Sequence, residues 1–160
     1  MKILTGLIEA HIVRFNEGDI EYLLLKRSPN QKYPNLWQMV TGKIKDGEKA
    51  HVTSVREIKE ETGLSVEKLL IVPNVNSFYN SYDESINFIP VFLAIVDNNA
   101  SVVLSDEHQT FQWANKKKAK KLLAWPGQSK SVNIIHNFLK NKKENLNFIE
   151  IDLKKFAQYK

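Results

Sequence analysis

The chain has no cysteine and no long apolar run, and each absence excludes a class of protein. Without cysteine, its 160 residues form neither disulfides nor thiolate metal sites. The longest apolar run, Phe88 to Val96, is nine residues, well short of the roughly 18 that cross a bilayer. The first 15 residues include Glu9 and no small-residue cleavage site, which is typical of a first strand and not of a signal peptide. We therefore expect a cytoplasmic protein with no membrane span.

Only six glycines and five prolines interrupt the chain, and no repeat or low-complexity linker divides it. A hydrophobic content of 42% suits a single domain, 1–160, with one buried core. Strand-like and helical segments alternate, which predicts an α/β fold. The predicted strands are Gly6 to Phe15, Ile20 to Arg27, Leu36 to Val40, about Lys68 to Tyr79, Ile86 to Val96 and Thr110 to Trp113.

Two helices are predicted from their boundary residues. One starts after KDGE and ends at Gly63, since glycine favours a left-handed cap. The other runs from about Ser131 to Lys140, after the breaker WPG. The last segment fits two patterns: a strand through Ile149, Ile151 and Leu153, or a helix through Leu146, Ile149, Leu153 and Phe156.

The net charge of +5 is unevenly distributed. Residues 1–115 hold 11 Lys and Arg against 15 Asp and Glu, whereas residues 116–160 hold 12 Lys against three acids. KKKAKK, at Lys116 to Lys121, is typical of a solvated helix face; contact with phosphates or nucleic acid is the alternative. Residues from about 141 to 160 form a basic C-terminal extension.

REIKEETG, at Arg56 to Gly63, concentrates three acids on the first predicted helix. At 100° per residue, Glu57, Glu60 and Glu61 share one side, which we call the acid face. Its other members, Ala50, Thr53 and Ser54, are all small. The opposite stripe, toward the core, contains His51, Val55, Ile58 and Thr62. Small residues indicate that a ligand or another segment comes close to the acid face.

Like charges three and four residues apart destabilise an isolated helix by about 0.2 to 0.5 kcal/mol per pair. Arg56 is placed to offset Glu60, but Glu57 and Glu61 have no obvious basic partner within a turn. Hard divalent cations such as Mg²⁺ or Mn²⁺ prefer clustered carboxylates. The alternatives at this point are a metal site and an ordinary solvated face.

The segment GKIKDGEKAHVTSVREIKEETGL decides between them. It fits G-x5-E-x7-R-E-(aliphatic)-x-E-E-x-G-(aliphatic) at all nine specified positions. They are Gly42, Glu48, Arg56, Glu57, Ile58, Glu60, Glu61, Gly63 and Leu64. In this the chain resembles the Nudix hydrolases, metal-dependent enzymes that cleave a nucleoside diphosphate linked to another group.

The resemblance implies a mixed β-sheet sandwiched between α-helices. It further implies that Glu57, Glu60 and Glu61, with backbone at Gly42, bind Mg²⁺, for which Mn²⁺ is a substitute. Glu48 and Arg56 would orient these carboxylates. The metal ions would bridge phosphate oxygens and lower the pKa of an attacking water.

A general base is expected outside the helix. Glu107 in LSDEHQTFQWA is the candidate, because similar Nudix enzymes often carry a glutamate before a late strand that ends in tryptophan. An exposed turn residue is the alternative. His108 is a rival base, more consistent with an orienting or solvated residue. His51 is more consistent with a histidine packed on the core side of the helix. No group of catalytic or ligand residues is predicted around His11.

Basic, aromatic and amide side chains are the candidates for contacts with the substrate. Lys26 and Arg27 end a predicted strand, where they can meet phosphate. A flat base needs aromatic rings and polar groups that bind its edge. The residues predicted to contact substrate are Lys26, Arg27, Trp37, Gln38, Tyr79 and Asn133.

Motifs outside the segment that begins at Gly42 indicate which branch of the family the chain resembles. LWQMVTG, SDEHQTFQW and WPGQSKSVNIIHNFL look like the dATP or dihydroneopterin-triphosphate pyrophosphohydrolase branch, which releases a monophosphate and pyrophosphate. DEHQTFQW also resembles dinucleoside-tetraphosphate hydrolases, the alternative. A non-catalytic module that binds a nucleotide or RNA is a third reading, which the intact motif disfavours. The oligomeric state stays open, with a homodimer as one option.

Overall fold

The computed structural model describes residues 1–155, so Phe156 lies outside the described part. The strands found there are β1 Lys2–Leu4, β2 Leu7–Asn16, β3 Asp19–Arg27, β4 Trp37–Gln38, β5 Val40–Lys43, β6 Lys68–Asn80, β7 Ser85–Ile95, β8 His108–Ala114 and β9 Glu150–Ile151. The helices are α1 Ala50–Thr62, α2 Lys116–Leu122, α3 Pro126–Asn141 and α4 Leu146–Ile149. No helix in residues 1–155 is both long and apolar enough to span a membrane.

The strands form one mixed sheet with the central order β4-β3-β2-β7-β6-β9. β7 pairs in parallel with both β1 and β2, while the other pairs are antiparallel. β5 lies along the first half of β2, with Gly42 opposite Ile8. The residue that begins the motif is therefore held near the middle of the sheet.

Helices cover both faces of the sheet, as predicted. Because strand side chains alternate between faces, Ile8, Ala10 and Ile12 of β2 share a buried cluster with Ile58 of α1. Val13 instead packs in a second cluster that contains Ala119 of α2 and Ile135 of α3. The mixed sheet between helices that the resemblance implies is confirmed.

Two boundaries differ from prediction. The predicted strand Leu36 to Val40 is broken between β4 and β5, where the Met39 N–H donates to the Gln128 side chain at 3.4 Å. α3 begins at Pro126 and not near Ser131, because proline suits the first position of a helix. WPG thus starts this helix.

The last segment combines the two predicted patterns. Leu146 and Ile149 of α4 pack against the cluster beneath α3, and β9 then pairs with Leu69 and Leu70 of β6. The strand is shorter than predicted, since it ends at Ile151. This part of the basic extension is packed on the sheet.

Candidate active site

α1 presents the acid face as the sequence predicts. It spans Ala50–Thr62 and ends at Gly63, which adopts φ 70° and donates its N–H to Lys59 O. Ile58 and Thr62 are fully buried on the core side. Thr53 and Ser54, the small residues of the acid face, are also fully buried. The predicted close approach of another segment is therefore confirmed.

Arg56 connects the acids of the motif. Its guanidinium donates to both carboxylate oxygens of Glu48 at 2.9 Å, to Glu57 Oε1 at 2.8 Å and to Glu60 Oε2 at 3.0 Å. The expectation that Glu57 lacks a basic partner is wrong, because the long arginine side chain reaches an adjacent residue as well as one four positions on. Hydrogen bonds from Arg56 lower the pKa of Glu48 to about 2.

Gly42 allows β5 to lie directly against the acid face. A Cβ placed on Gly42 would lie 2.2 Å from Glu57 Cγ and 2.5 Å from Glu57 Oε1. Any larger residue would thus overlap this carboxylate. Burial, the largest effect, raises the pKa of Glu57, although the hydrogen bond from Arg56 opposes it.

Glu61 is the most enclosed carboxylate of the three, with 4% of its surface exposed. Its Oε2 accepts no hydrogen bond and lies 3.7 Å from His108 Nδ1. Burial raises the pKa of Glu61 well above its ordinary value, and the negative charges of Glu107 and Glu57 add to the effect. A buried carboxylate oxygen without a donor is a position that a cation or an ordered water would satisfy.

The Glu107 turn lies beside this carboxylate. Glu107 is exposed, and its backbone oxygen accepts the Ser28 N–H at 2.9 Å. Its charge raises the pKa of both Glu57 and Glu61, so this charge lies near the acid face. The solvated alternative for His108 is wrong, because only 4% of it is exposed and burial lowers its pKa to about 4.

The structure separates the predicted substrate residues. Arg27 influences the pKa of Glu61 and His108, so its charge lies near the acid face. Lys26 projects to the opposite side of the sheet, where its ammonium lies 6.0 Å from the Trp37 ring centre. Gln38 is buried, and its Nε2 has no hydrogen-bond partner.

Tyr79 and Asn133 are not among the residues near the acid face. Tyr79 pairs with Ile86 of β7. At 3.4 Å per residue, Ile86 lies about 17 Å along this strand from Val91. Its hydroxyl donates to Glu84. Asn133 is half-buried on α3. The structure does not bring Tyr79 to the carboxylates.

A buried polar network missed by the sequence reasoning lies on the α3 side of the sheet. His11 is paired with Glu9 at 2.6 Å, and the Asn76 amide donates to the other Glu9 oxygen at 2.9 Å. The expectation that His11 stands alone is wrong. An acid and a histidine two residues apart on one strand share a face. That spacing in the sequence would have predicted the pair.

No three Asp, Glu or His side chains within residues 1–155 are grouped closely enough to hold a metal ion as they stand. Arg56 occupies one oxygen of Glu57 and one of Glu60. The donor set nevertheless fits a hard divalent cation, since it consists of carboxylate oxygens and includes the unsatisfied oxygen of Glu61.

The family model of the NUDIX domain matches residues 7–138. A bis(5'-nucleosyl)-tetraphosphatase [asymmetrical] of Caenorhabditis elegans is 32% identical over 113 residues, which are 69% of this chain and 79% of that protein. The solved structure of a C. elegans Ap4A hydrolase binary complex is 26% identical with a TM-score of 0.74, and the match covers 85% of this chain and 98% of that one.

The structure of the Escherichia coli dihydroneopterin triphosphate pyrophosphohydrolase is also similar. Its TM-score is 0.68 and its identity 21%, and the match covers 83% of this chain and 99% of that one. At this identity the likeness shows a shared fold alone. The predicted closeness to that branch therefore gains no support beyond the fold.

Proposed function

The chain belongs to the Nudix hydrolase family, and we propose that it cleaves a dinucleoside tetraphosphate asymmetrically, into a nucleoside triphosphate and a monophosphate. The observation that carries the proposal is the likeness to the asymmetrical tetraphosphatase of C. elegans across more than two thirds of the chain. The intact acid face supports it, because Glu57, Glu60 and Glu61 of the motif all lie on α1.

Glu57, Glu60 and Glu61, with the backbone at Gly42, are the proposed holders of a divalent cation, Mg²⁺ or Mn²⁺. Nudix hydrolases generally use divalent metals. The unsatisfied Glu61 oxygen suits this role, and the absence of a Cβ at Gly42 lets the Glu57 carboxylate lie against β5. When bound, such an ion neutralises phosphate charge and acidifies the attacking water.

Arg56 and Glu48 are proposed positioning residues. Glu60 is 53% exposed, and a surface ion pair contributes only about 0 to 1 kcal/mol, so its carboxylate can leave Arg56 at little cost. The two hydrogen bonds from Glu48 keep the guanidinium in place meanwhile. Arg56 would then keep Glu57 oriented, and the Glu60 carboxylate would be available to hold the cation.

Glu107 is the proposed proton acceptor. It is exposed on a turn fixed to Ser28, and its charge reaches Glu57 and Glu61. Arg27, whose charge lies near the same carboxylates, is the proposed phosphate contact; the position of Lys26 on the opposite side of the sheet lends that residue no support. Trp37, Gln38 and Asn133 remain predicted substrate contacts; the position of Tyr79 lends that residue no support.

The test is a panel of substrates with Mg²⁺: dinucleoside polyphosphates, nucleoside triphosphates, nucleotide sugars and dihydroneopterin triphosphate. Chromatography should show a triphosphate and a monophosphate from the dinucleoside tetraphosphate. The second candidate function, favoured by LWQMVTG and WPGQSKSVNIIHNFL, would give a monophosphate and pyrophosphate from a triphosphate. If Glu60→Gln hydrolyses every substrate as the wild type does, the assignment of the acid face is wrong.

A further inference from the structure

Two exposed aromatic rings lie near β4, outside the motif. We propose that Tyr33 and Trp125 form a stacking platform for the planar ring of the nucleotide. The class of ligand, a purine or similar flat heterocycle, rests on the proposed function. The platform itself rests on the geometry of the two rings and of the backbone that holds them.

The rings are arranged to receive a third ring. Their centres are 5.3 Å apart and their planes meet at 80°. The rings meet edge to face, so neither covers the whole of the other, and both are partly open to solvent. Tyr33 is 51% exposed and Trp125 39%. A flat base can therefore stack on this pair without displacing any part of the core.

The loop carrying Tyr33 is held in an uncommon conformation. Tyr33 has φ 55° and Asn35 has φ 63°, on either side of Pro34. Positive φ at a bulky residue is a genuine outlier, and such strain persists where surrounding contacts impose it, often at functional sites. The position of the Tyr33 ring is therefore a feature that the rest of the structure maintains.

Three hydrogen bonds maintain it. Arg27 Nε donates to Lys32 O at 2.6 Å, Asn35 N–H donates to Arg27 O at 3.2 Å, and Gln109 Nε2 donates to Asn35 Oδ1 at 2.7 Å. They tie both sides of the loop to the ends of β3 and β8. The Tyr33 ring is thereby fixed before any ligand binds.

Trp125 is fixed independently. The Ala124 N–H donates to Trp37 O at 3.2 Å, and Leu123 forms a parallel bridge with Trp37. Trp125 then caps the N-terminal end of α3, where its carbonyl accepts from Gln128 N–H at 3.1 Å. Both halves of the platform are thus anchored, which limits the entropy lost when a base stacks there.

The same loop connects the platform to the candidate active site. Ser28, at its start, bonds through N–H to Glu107 O and through its hydroxyl to Asp106 O. Tyr33 is five positions after Ser28, so at most about 18 Å lies between their Cα atoms. Lys32 adds a cation 5.1 Å from the Tyr33 ring centre. One short loop therefore joins the platform to the Glu107 turn.

Binding of AMP to the full chain, measured by titration calorimetry, tests the platform without hydrolysis. Trp125→Ala and Tyr33→Ala should each weaken AMP binding about tenfold, within the range of one stacked base. Binding of inorganic pyrophosphate should not change. Trp125→Phe should keep most of the AMP affinity and lose the quenching of tryptophan fluorescence by AMP. Tyr82→Ala, at a tyrosine 97% exposed on another loop, is the matched control.

Equal AMP affinity in the wild type and both alanine variants overturns the proposal, and so does the absence of AMP binding to the wild type. Melting curves identify a variant that fails to fold, in which case Trp125→Phe and the other alanine variant decide. The outcome is separate from the proposed function. A protein that cleaves no dinucleoside tetraphosphate but loses AMP binding on Trp125→Ala retains the platform and refutes only the reaction.

Discussion

Replacing Gly42 by alanine should disable the acid face through one steric overlap. The added Cβ would lie 2.2 Å from Glu57 Cγ and 2.4 Å from Cδ, distances that non-bonded carbon atoms do not adopt. The backbone of Gly42 is not in the left-handed region, so alanine imposes no conformational strain of its own. The overlap with Glu57 is therefore the whole expected effect.

The expected losses of stability and activity follow from the contacts that a displaced Glu57 would lose. Overpacking typically costs about 1 to 3 kcal/mol, and a displaced Glu57 would lose its 2.8 Å bond to Arg56. For a chain of this length the melting temperature should fall by about 2 to 4 °C per kcal/mol. Activity should fall further, by about 10²-fold or more, because the carboxylate is moved by roughly an ångström or more.

A double-mutant cycle isolates the cause. Melting curves and hydrolysis rates are compared for Gly42→Ala, Glu57→Ala, the double variant and Gly6→Ala. Nothing lies within 4 Å of a Cβ at Gly6, so that control should stay within about 0.5 kcal/mol of the wild type. In the Glu57→Ala background, Gly42→Ala should cost almost nothing. An equal cost in both backgrounds would refute the reasoning, since the overlap would then lie elsewhere.

Two further predictions concern neighbouring carboxylates. Burial raises the folded-state pKa of Glu61, so the unfolded chain ionises at lower pH and the stability of the metal-free protein falls as pH rises between the two pKa values. Glu61→Gln should remove that fall, so that melting in EDTA shows a metal-free variant more stable than wild type at pH 8 but not at pH 4. Glu107→Gln should lower kcat by about 10² to 10⁴-fold without moving the melting temperature, because its side chain is exposed.

Each of these two predictions would be contradicted by one specific result. If Glu61→Gln follows the wild-type pH dependence of melting, the buried carboxyl does not ionise as its surroundings imply. If Glu107→Gln retains full kcat, another group accepts the proton. Glu67→Gln is a suitable control for both, since Glu67 is an exposed glutamate outside the motif.

The sequence predicts the features that depend on local spacing. The period of α1 places three glutamates on one face, and Gly63 ends the helix in the expected left-handed conformation. Alternation along β2 and β3 gives their positions within a residue or two. In each case the residues that determine the structure are neighbours along the chain.

The features that were missed depend on residues far apart in sequence. Tyr33 meets Trp125 only because the end of the 28–36 loop and the start of α3 both lie beside β4. Glu9 finds its second partner in Asn76 on another strand. The reach of Arg56 to Glu57 depends on a side-chain rotamer, which helical spacing does not specify. Such pairings require the fold before they can be seen.

Chromatographic identification of the products formed from a dinucleoside tetraphosphate and Mg²⁺ tests the proposed function most directly. Asymmetrical cleavage by the acid face predicts equal amounts of nucleoside triphosphate and monophosphate, with little or no product from Glu60→Gln. Two molecules of nucleoside diphosphate, no cleavage, or undiminished cleavage by Glu60→Gln would contradict it.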